Sequence, residues 1–507
     1  ANTTGCQNVA VGHQALNAST TGSNNVAVGY QALDSNTTGG MNVAVGQTAM
    51  SSHTTGNYNT AVGRASLSSN TTADNNTGIG YSALAGNTTG AENTAVGANC
   101  MDGNATGNYN DAFGKDALGT GDGFTRCCAF GNSALKQNAG NDNTAMGHVA
   151  LTATTTGNQN TAVGAYALDA NTTGAQNHAF GYGALGSSTT ASNNHAFGQL
   201  ALFSNTSGVA NAAFGQDALR ENTSGNANTA FGYQAAKAIT TGSGETHIGY
   251  QAGKDITTGG GTGYNTSLGY RAQYQNTTGY YNTGLGAFAL QGVTTGSHNT
   301  GCGQEAGDEI TTGHYNTAIG FNAGLDITTG NHNTCVGRTA GNDLVTGGYN
   351  IFIGSGNATN ASNDTAQITI GSDLTGKGSY YTTFGTNANG RVYNYYPSNA
   401  TWSRDSDERL KKDIATNSDC GLDFINDLRT VTYKWKAPSE VPNTFTNYKA
   451  DQTEAVHKDK MYGFIAQEVK AALDKHNITD FNGWTEGSDG VQGISYEMFV
   501  MPLVKAV

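Results

Sequence analysis

Set out in rows of seventeen, the chain repeats its apolar and polar positions in fixed columns. The idealised unit reads NTAVGYQAL…NTTG.., and an anchor glycine recurs at 12, 29, 46, 63, 80, 97, 114, 131, 147, 164, 181, 198, 215, 232, 249, 269, 286, 303, 320, 337, 354 and 371. That gives 22 units, with one step a residue short and one three residues long, and a last imperfect copy ends at Gly385. The residue before the anchor is apolar, as in Val11, Val28, Phe113, Phe180, Ile319 and Ile370. Three positions after it stands Ala in most units (Ala15, Ala32, Ala49, Ala83, Ala117), with small Ser66 and Cys100 among the exceptions. Leu usually follows in the first 220 residues; in later units Gly253, Gly307, Gly324 and Gly341 stand near this point. Seven residues before the anchor, another glycine often closes a Thr-Thr-Gly turn (Gly22, Gly39, Gly56, Gly90, Gly157, Gly174).

A period of 17 is too short for helix pairs and fits one coil of β-structure: short strand, glycine corner, short strand, Thr-Gly turn. Alternation along N-T-A-V-G turns one apolar side chain inward per strand, and a recurrent Ala marks a place where only a small group fits. Each coil buries too little by itself, so stability comes from stacking on its neighbours. Proline is excluded where each coil donates its N–H groups to the next. At ~4.8 Å between strands, 22 coils make a rod on the order of 100 Å long. The fold class is therefore mainly β: a β-solenoid over 1–385, a neck over 386–405, and a different, small α/β domain over 406–507. Such a thin core, with its Ala and Gly columns, suggests close approach of identical chains around an axis, and the expectation is a homotrimer.

Composition marks the same division. Of 61 Asp, Glu, Lys and Arg residues, 31 lie in the first 400 positions and 30 in the last 107. All three Trp lie in that last part, and 66 of 72 Gly lie before it. The net charge of −13 includes no basic stripe, which argues against nucleic acid as a partner. No run approaches the ~20 apolar residues of a membrane span. The chain opens in mid-repeat without Met, so the expectation is that an amino-terminal segment is missing.

Chemistry is sparse in the repeats. Twenty carboxylates over 400 residues do not recur in register, so no paired acid and base is legible and no cofactor is implied. His178 and His195 share a column in successive coils and could hold a metal or an anion if they faced a three-fold axis. The seven Cys show no ligand spacing, and Cys302, standing in the apolar column, reads as a small core residue. Asn-Thr-Thr triplets match a glycosylation acceptor, but Asn and Thr also build turns through side-chain bonds to the backbone. Stacked Thr raises ice binding as a rival function, against which adjacent Thr residues in a turn point different ways.

After residue 400 the pattern changes. The stretch SRDSDERLKKDI, residues 403–414, holds eight charged side chains in twelve positions. CGLDFINDLRTVTYKWK reads as a short helix (Leu422, Ile425, then Leu428 or Arg429) entering a strand from Val431 to Trp435. YGFIAQEVKAAL reads as a strand and then a helix with Ile465, Val469 and Leu473 on one face. SYEMFVMPLVKAV ends in a helix broken or begun near Pro502.

The order of SDERLKKDI, LDFINDLRTVTYKWK, YGFIAQEV and YEMFVMPLVKAV closely resembles the carboxy-terminal intramolecular chaperone of endosialidase-type phage tail spikes and fibres. The repeats resemble the heads of trimeric autotransporter adhesins and the fibre repeats of marine phage and bacterial surface proteins. The first resemblance implies a trimerising domain that helps an upstream β-fibre fold and then cuts itself off. Carried over, Asp405–Ser406 is the scissile bond, Ser406 the nucleophile and Lys411 its general base. Asp407 and Arg409 complete the Ser-Asp-x-Arg-x-Lys motif. By themselves these residues also read as a helix cap followed by solvated charges. The implied protein is an extracellular fibre, on a virion or a bacterial surface, that meets a receptor, most simply a glycan; a polysaccharide depolymerase is the alternative.

Overall fold

A computed structural model describes residues 3–257, 263–387, 390–397, 403–404, 414–417, 419–443, 448–455, 458–487 and 490–507. The chain divides into two compact units, Ala1–Asp405 and Ser406–Val507.

The first unit is a β-solenoid. Each coil contributes one three-residue strand, beginning with Val9–Val11, Val26–Val28 and Val43–Val45 and running to Ile351–Ile353. Successive strands pair parallel with each column on itself: Val26 opposes Val43, and Val28 opposes Val45. The ladder continues through Ile368–Ser372 into Tyr381–Thr386, then closes with antiparallel strands at Gly390–Tyr395 and Ser403–Arg404. Between strands the coils bond in both directions, as in Val26 N–H to Asn42 O (2.8 Å) and Gly29 N–H to Val11 O (2.8 Å).

The expected second strand, after the glycine corner, does not form. The backbone there turns left-handed twice, at Gln31 (φ 55°) and Leu33 (φ 51°), and does so in coil after coil. Left-handed geometry cannot join a β-ladder, and it swings Leu33 into the core, where it is buried with Ala32. Where Gly stands four positions after the anchor, an aliphatic residue three places later fills the space: Ile310 beside Gly307, Ile327 beside Gly324, Leu344 beside Gly341.

The inward side chain of each strand is its central residue, Ala27, Ala44, Ala95 or Ala162, all fully buried. Its neighbours, the apolar column before the anchor included, point outward. This corrects the reading of Cys302 as a core residue: it lies on the outer side and is half-buried. The Ala and Gly columns likewise serve the single chain. A Cβ on Gly29, whose φ is +136°, would lie 2.5 Å from Gly46 O, and one on Gly22 would lie 2.3 Å from Gly39 O. The coils approach each other there too closely for any side chain.

The asparagines two residues before the strand centres are paired in a ladder inside the coil, while the Oδ1 atoms of Asn36, Asn70, Asn87 and Asn171 are buried without a partner among the described residues. Asn42 N–H donates to Asn25 Oδ1 (2.9 Å), and Asn42 Nδ2 donates to Gly56 O (2.9 Å). Similar bonds recur at Asn59, Asn76 and Asn93. The triplet asparagines face inward as well: Asn36, Asn70, Asn87 and Asn171 are buried, and Asn36 Nδ2 donates to Gly39 O. These side chains stabilise turns and are closed to glycosylation. The first Thr of a triplet bonds the next coil, as Thr37 Oγ1 does Thr54 O, and from the second coil on the second Thr of an Asn-Thr-Thr triplet is the more exposed.

The second unit packs α1 (Leu422–Asn426), α2 (Ala466–Lys475) and α3 (Val500–Ala506) with two short antiparallel strand pairs, Val431–Tyr433/Met461–Gly463 and Trp484–Glu486/Gln492–Ile494. Phe424, Val469, Leu473, Ile478 and Phe499 form its core. Its surface carries ordinary ion pairs, Arg429–Glu468 and Lys475–Asp427 among them. No helix among the described residues is long and apolar enough to cross a membrane.

Candidate functional site

Asp405, Ser406, Asp407, Arg409 and Lys411 lie outside the described residues, so the proposed joint is delimited by what flanks it. On its amino-terminal side, Ser403–Arg404 pairs with Tyr393 and Val392 at the end of the solenoid sheet. The division between the two units falls between Asp405 and Ser406. Scission of that peptide bond would leave the last strand in its ladder and the helical unit's core whole.

Within the solenoid, among the described residues, no three His, Cys, Asp or Glu side chains are placed to hold a metal. His178 and His195 do come together, as register partners with stacked rings. Of the cysteines, Cys100 and Cys335 have thiols pushed by burial to about 12, and Cys127 to about 11. They are inert packing residues.

A polar string that the sequence reading missed lies in the coil with the three-residue insertion. His247 Nε2 lies 3.1 Å from Glu245 Oε2, and His247 Nδ1 lies 3.0 Å from Ser267 Oγ. All three are fully buried. Glu245 stands in the Asn ladder, its Oε2 accepting from Asn265 N–H (3.0 Å) as an Asn Oδ1 does elsewhere. His247 and Ser267 occupy the inward Ala column. Gly253 makes room, since a Cβ there would meet His247 Nδ1 at 2.3 Å. Acid, imidazole and hydroxyl in a row suggest nucleophilic chemistry, but no substrate reaches a site sealed by its own coils. The string is a hydrogen-bonded core. Its signal was available: Glu for Asn and His for Ala, both breaking their columns in one coil.

Asp308 is the other perturbed group. Burial, then the nearby carboxylates of Glu305 and Glu309, raise its pKa to about 6. It lines an open cleft with Gln275, Gln291, Glu309, Thr311 and Thr328.

Aromatic rings stack along the outside of the coils. Phe180, Phe197 and Phe214 are spaced at 4.6 and 4.7 Å. Tyr281, His298, Tyr315, His332 and Tyr349 form a second file at 4.7–5.1 Å. Face-to-face stacking leaves mainly ring edges open, so neither file is a platform on which a sugar ring stacks.

No curated protein matches the chain. Residues 406–485 match the family model described as chaperone of endosialidase, and the match begins at the residue where the second compact unit begins. The chain therefore joins a long β-solenoid of 17-residue coils to a small carboxy-terminal domain similar to the endosialidase chaperones.

Proposed function

We propose that this protein is the shaft of an extracellular attachment fibre, of the phage tail-fibre or bacterial-adhesin kind, which assembles as a homotrimer and is released from its chaperone by self-cleavage at Asp405–Ser406. The carrying observation is the coincidence of two boundaries on one bond: the compact units divide there, and the family match starts there. A receptor on another cell, a glycan in the simplest case, is the partner this role requires.

The chemistry is an acyl shift followed by hydrolysis. Lys411, as a neutral amine, takes the Ser406 hydroxyl proton, and Oγ adds to the Asp405 carbonyl carbon. The C–N bond breaks, its nitrogen takes up a proton as the new amino terminus, and an ester remains. Water then hydrolyses that ester to the Asp405 carboxylate and the free Ser406 hydroxyl. Lys serves only if its surroundings hold its pKa well below the usual ~10.4, because an ammonium has no lone pair.

The test is a denaturing gel of the full chain beside Ser406→Ala and Lys411→Met. Wild type is expected to yield fragments ending at Asp405 and starting at Ser406, identified by amino-terminal sequencing and mass. Both variants are expected to remain full-length. An intact wild-type chain, or cutting that persists in Ser406→Ala, overturns the reading.

Support for self-association comes from the outer side of the strands. The apolar column before the anchors, including Val62, Ile79, Phe113, Phe231, Leu268, Ile319 and Ile353, is 36–58% exposed at those positions. A continuous apolar stripe of that length exceeds what monomers leave in water. Identical chains laid in register would cover it.

A further inference from the structure

The position three before the anchor is Thr in most later coils, and at two successive coils it is His178 and His195. They oppose each other in the parallel ladder, with ring centroids 5.0 Å apart and planes within 7° of parallel. Among the described residues they are the one pair of imidazoles stacked on each other. Both rings lie on the outer side of the strands, because the intervening Ala179 and Ala196 are fully buried. Along the column the pair is bounded by Thr161 on one side and Ala212 on the other, residues smaller than His. Phe180 and Phe197 form a wall beside it. The neighbouring outward positions, Gln176, Asn193, Tyr182 and Gln199, carry no charge. Among the described residues, neither ring is held by a hydrogen bond or ion pair.

We propose that His178 and His195 together bind one divalent transition-metal ion of the Zn2+, Ni2+ or Cu2+ class, through one nitrogen of each ring. Imidazole nitrogens suit these ions, whereas Ca2+ and Mg2+ want carboxylate oxygens, and none of the four neighbouring outward positions is Asp or Glu. With metal–nitrogen bonds of about 2.0–2.1 Å and near-tetrahedral angles, the two nitrogens must approach to about 3.3 Å. The rings reach that separation by rotating about their side-chain torsions so that the planes open from parallel and one in-plane lone pair of each turns toward the ion. Water fills the remaining positions in a single chain. The proposal does not rest on the trimer, although pairs from three aligned chains would add nitrogen ligands.

The full chain is titrated with Zn2+ by calorimetry at about pH 7.5, and with Cu2+ followed by electron paramagnetic resonance. The expected result is saturable binding of one ion per pair, with hyperfine coupling to two equivalent nitrogens. His178→Thr and His195→Thr install the residue of neighbouring coils, so the coil is kept. Each is expected to weaken binding by about tenfold or more, while His332→Thr leaves it unchanged. Wild-type affinity in both pair variants, or no saturable binding at about 1 mM ion, overturns the proposal. Sedimentation of the same samples reads oligomeric state separately, so a monomer would count against the trimer and not against this site.

Discussion

Asp308 shows how a single residue can work against the coil that holds it. Its carboxyl titrates near pH 6 in the folded chain, against 3.8 for an ordinary Asp, because burial and then Glu305 and Glu309 disfavour its charge. The folded state therefore binds more protons than the unfolded state between those values, and stability falls as pH rises through that window. Above about pH 6 the cost is fully present. Asp308→Asn is accordingly expected to raise the thermal midpoint of the surrounding coils near pH 8 and to leave it unchanged near pH 2.5, where the acid is almost wholly neutral in both states. Calorimetry at the two pH values reads this; an equal gain at both would refute the assignment. Legibility at this scale was uneven. The columns exposed His178 and His195 as a pair, whereas the raised Asp308 pKa comes from the enclosure of one residue that breaks no column.

Between coils, the element-scale rule is substitution in pairs. Leu33, Leu84 and Leu168 stand four positions after the anchor at φ 51–55°, and the residue three further on is Asn36, Asn87 or Asn171. Where that Leu becomes Gly, the later position becomes Ile or Leu, because a Cβ on Gly324 would lie 2.9 Å from Ile327 Cδ1. The two arrangements fill one volume from opposite ends of the same turn. Ile327→Asn by itself is expected to destabilise its coil by about 2–4 kcal/mol through lost apolar burial and a residual cavity. Gly324→Leu with Ile327→Asn recreates the arrangement of the early coils and is expected to recover most of that loss. Hydrogen exchange of the amides of residues 317–340 measures both, and a double variant no better protected than the single would break the rule. The sequence reading noted this Gly column but not its partner, since the compensation lies in a contact between side chains.

Across the whole molecule the difficulty is alignment. Chains built of near-identical coils can pair offset by one period with little loss, because each column then meets its own kind again. On the proposed reading, the compact unit at one end, similar to a chaperone, would supply the unique contact that selects one alignment, and its later removal would leave the rod kinetically trapped. If the outer apolar stripe is the contact between copies, sedimentation of the full chain gives the mass of a trimer. Cys302, on that stripe, is then expected to form an inter-chain disulfide under mild oxidation in a chain whose other accessible cysteines, Cys6 and Cys128, are replaced by Ser, and Cys302→Ser should abolish it. A monomer of extended shape, or linkage indifferent to Cys302, would exclude this face. The β-solenoid, its period and the change of character near residue 400 were legible because every coil must repeat its neighbours' contacts, and repeated contacts leave repeated residues. The sequence did not settle which of two adjacent apolar columns turns inward. Ala and Val alternate on one strand, and either face satisfies the pleat. Closure of a 17-residue coil leaves room opposite the strand for only a small central residue in most coils, with His247 and Phe352 entering where Gly253 and Gly341 make space, and that constraint, made by the whole turn, sends the flanking Val, Ile and Phe outside.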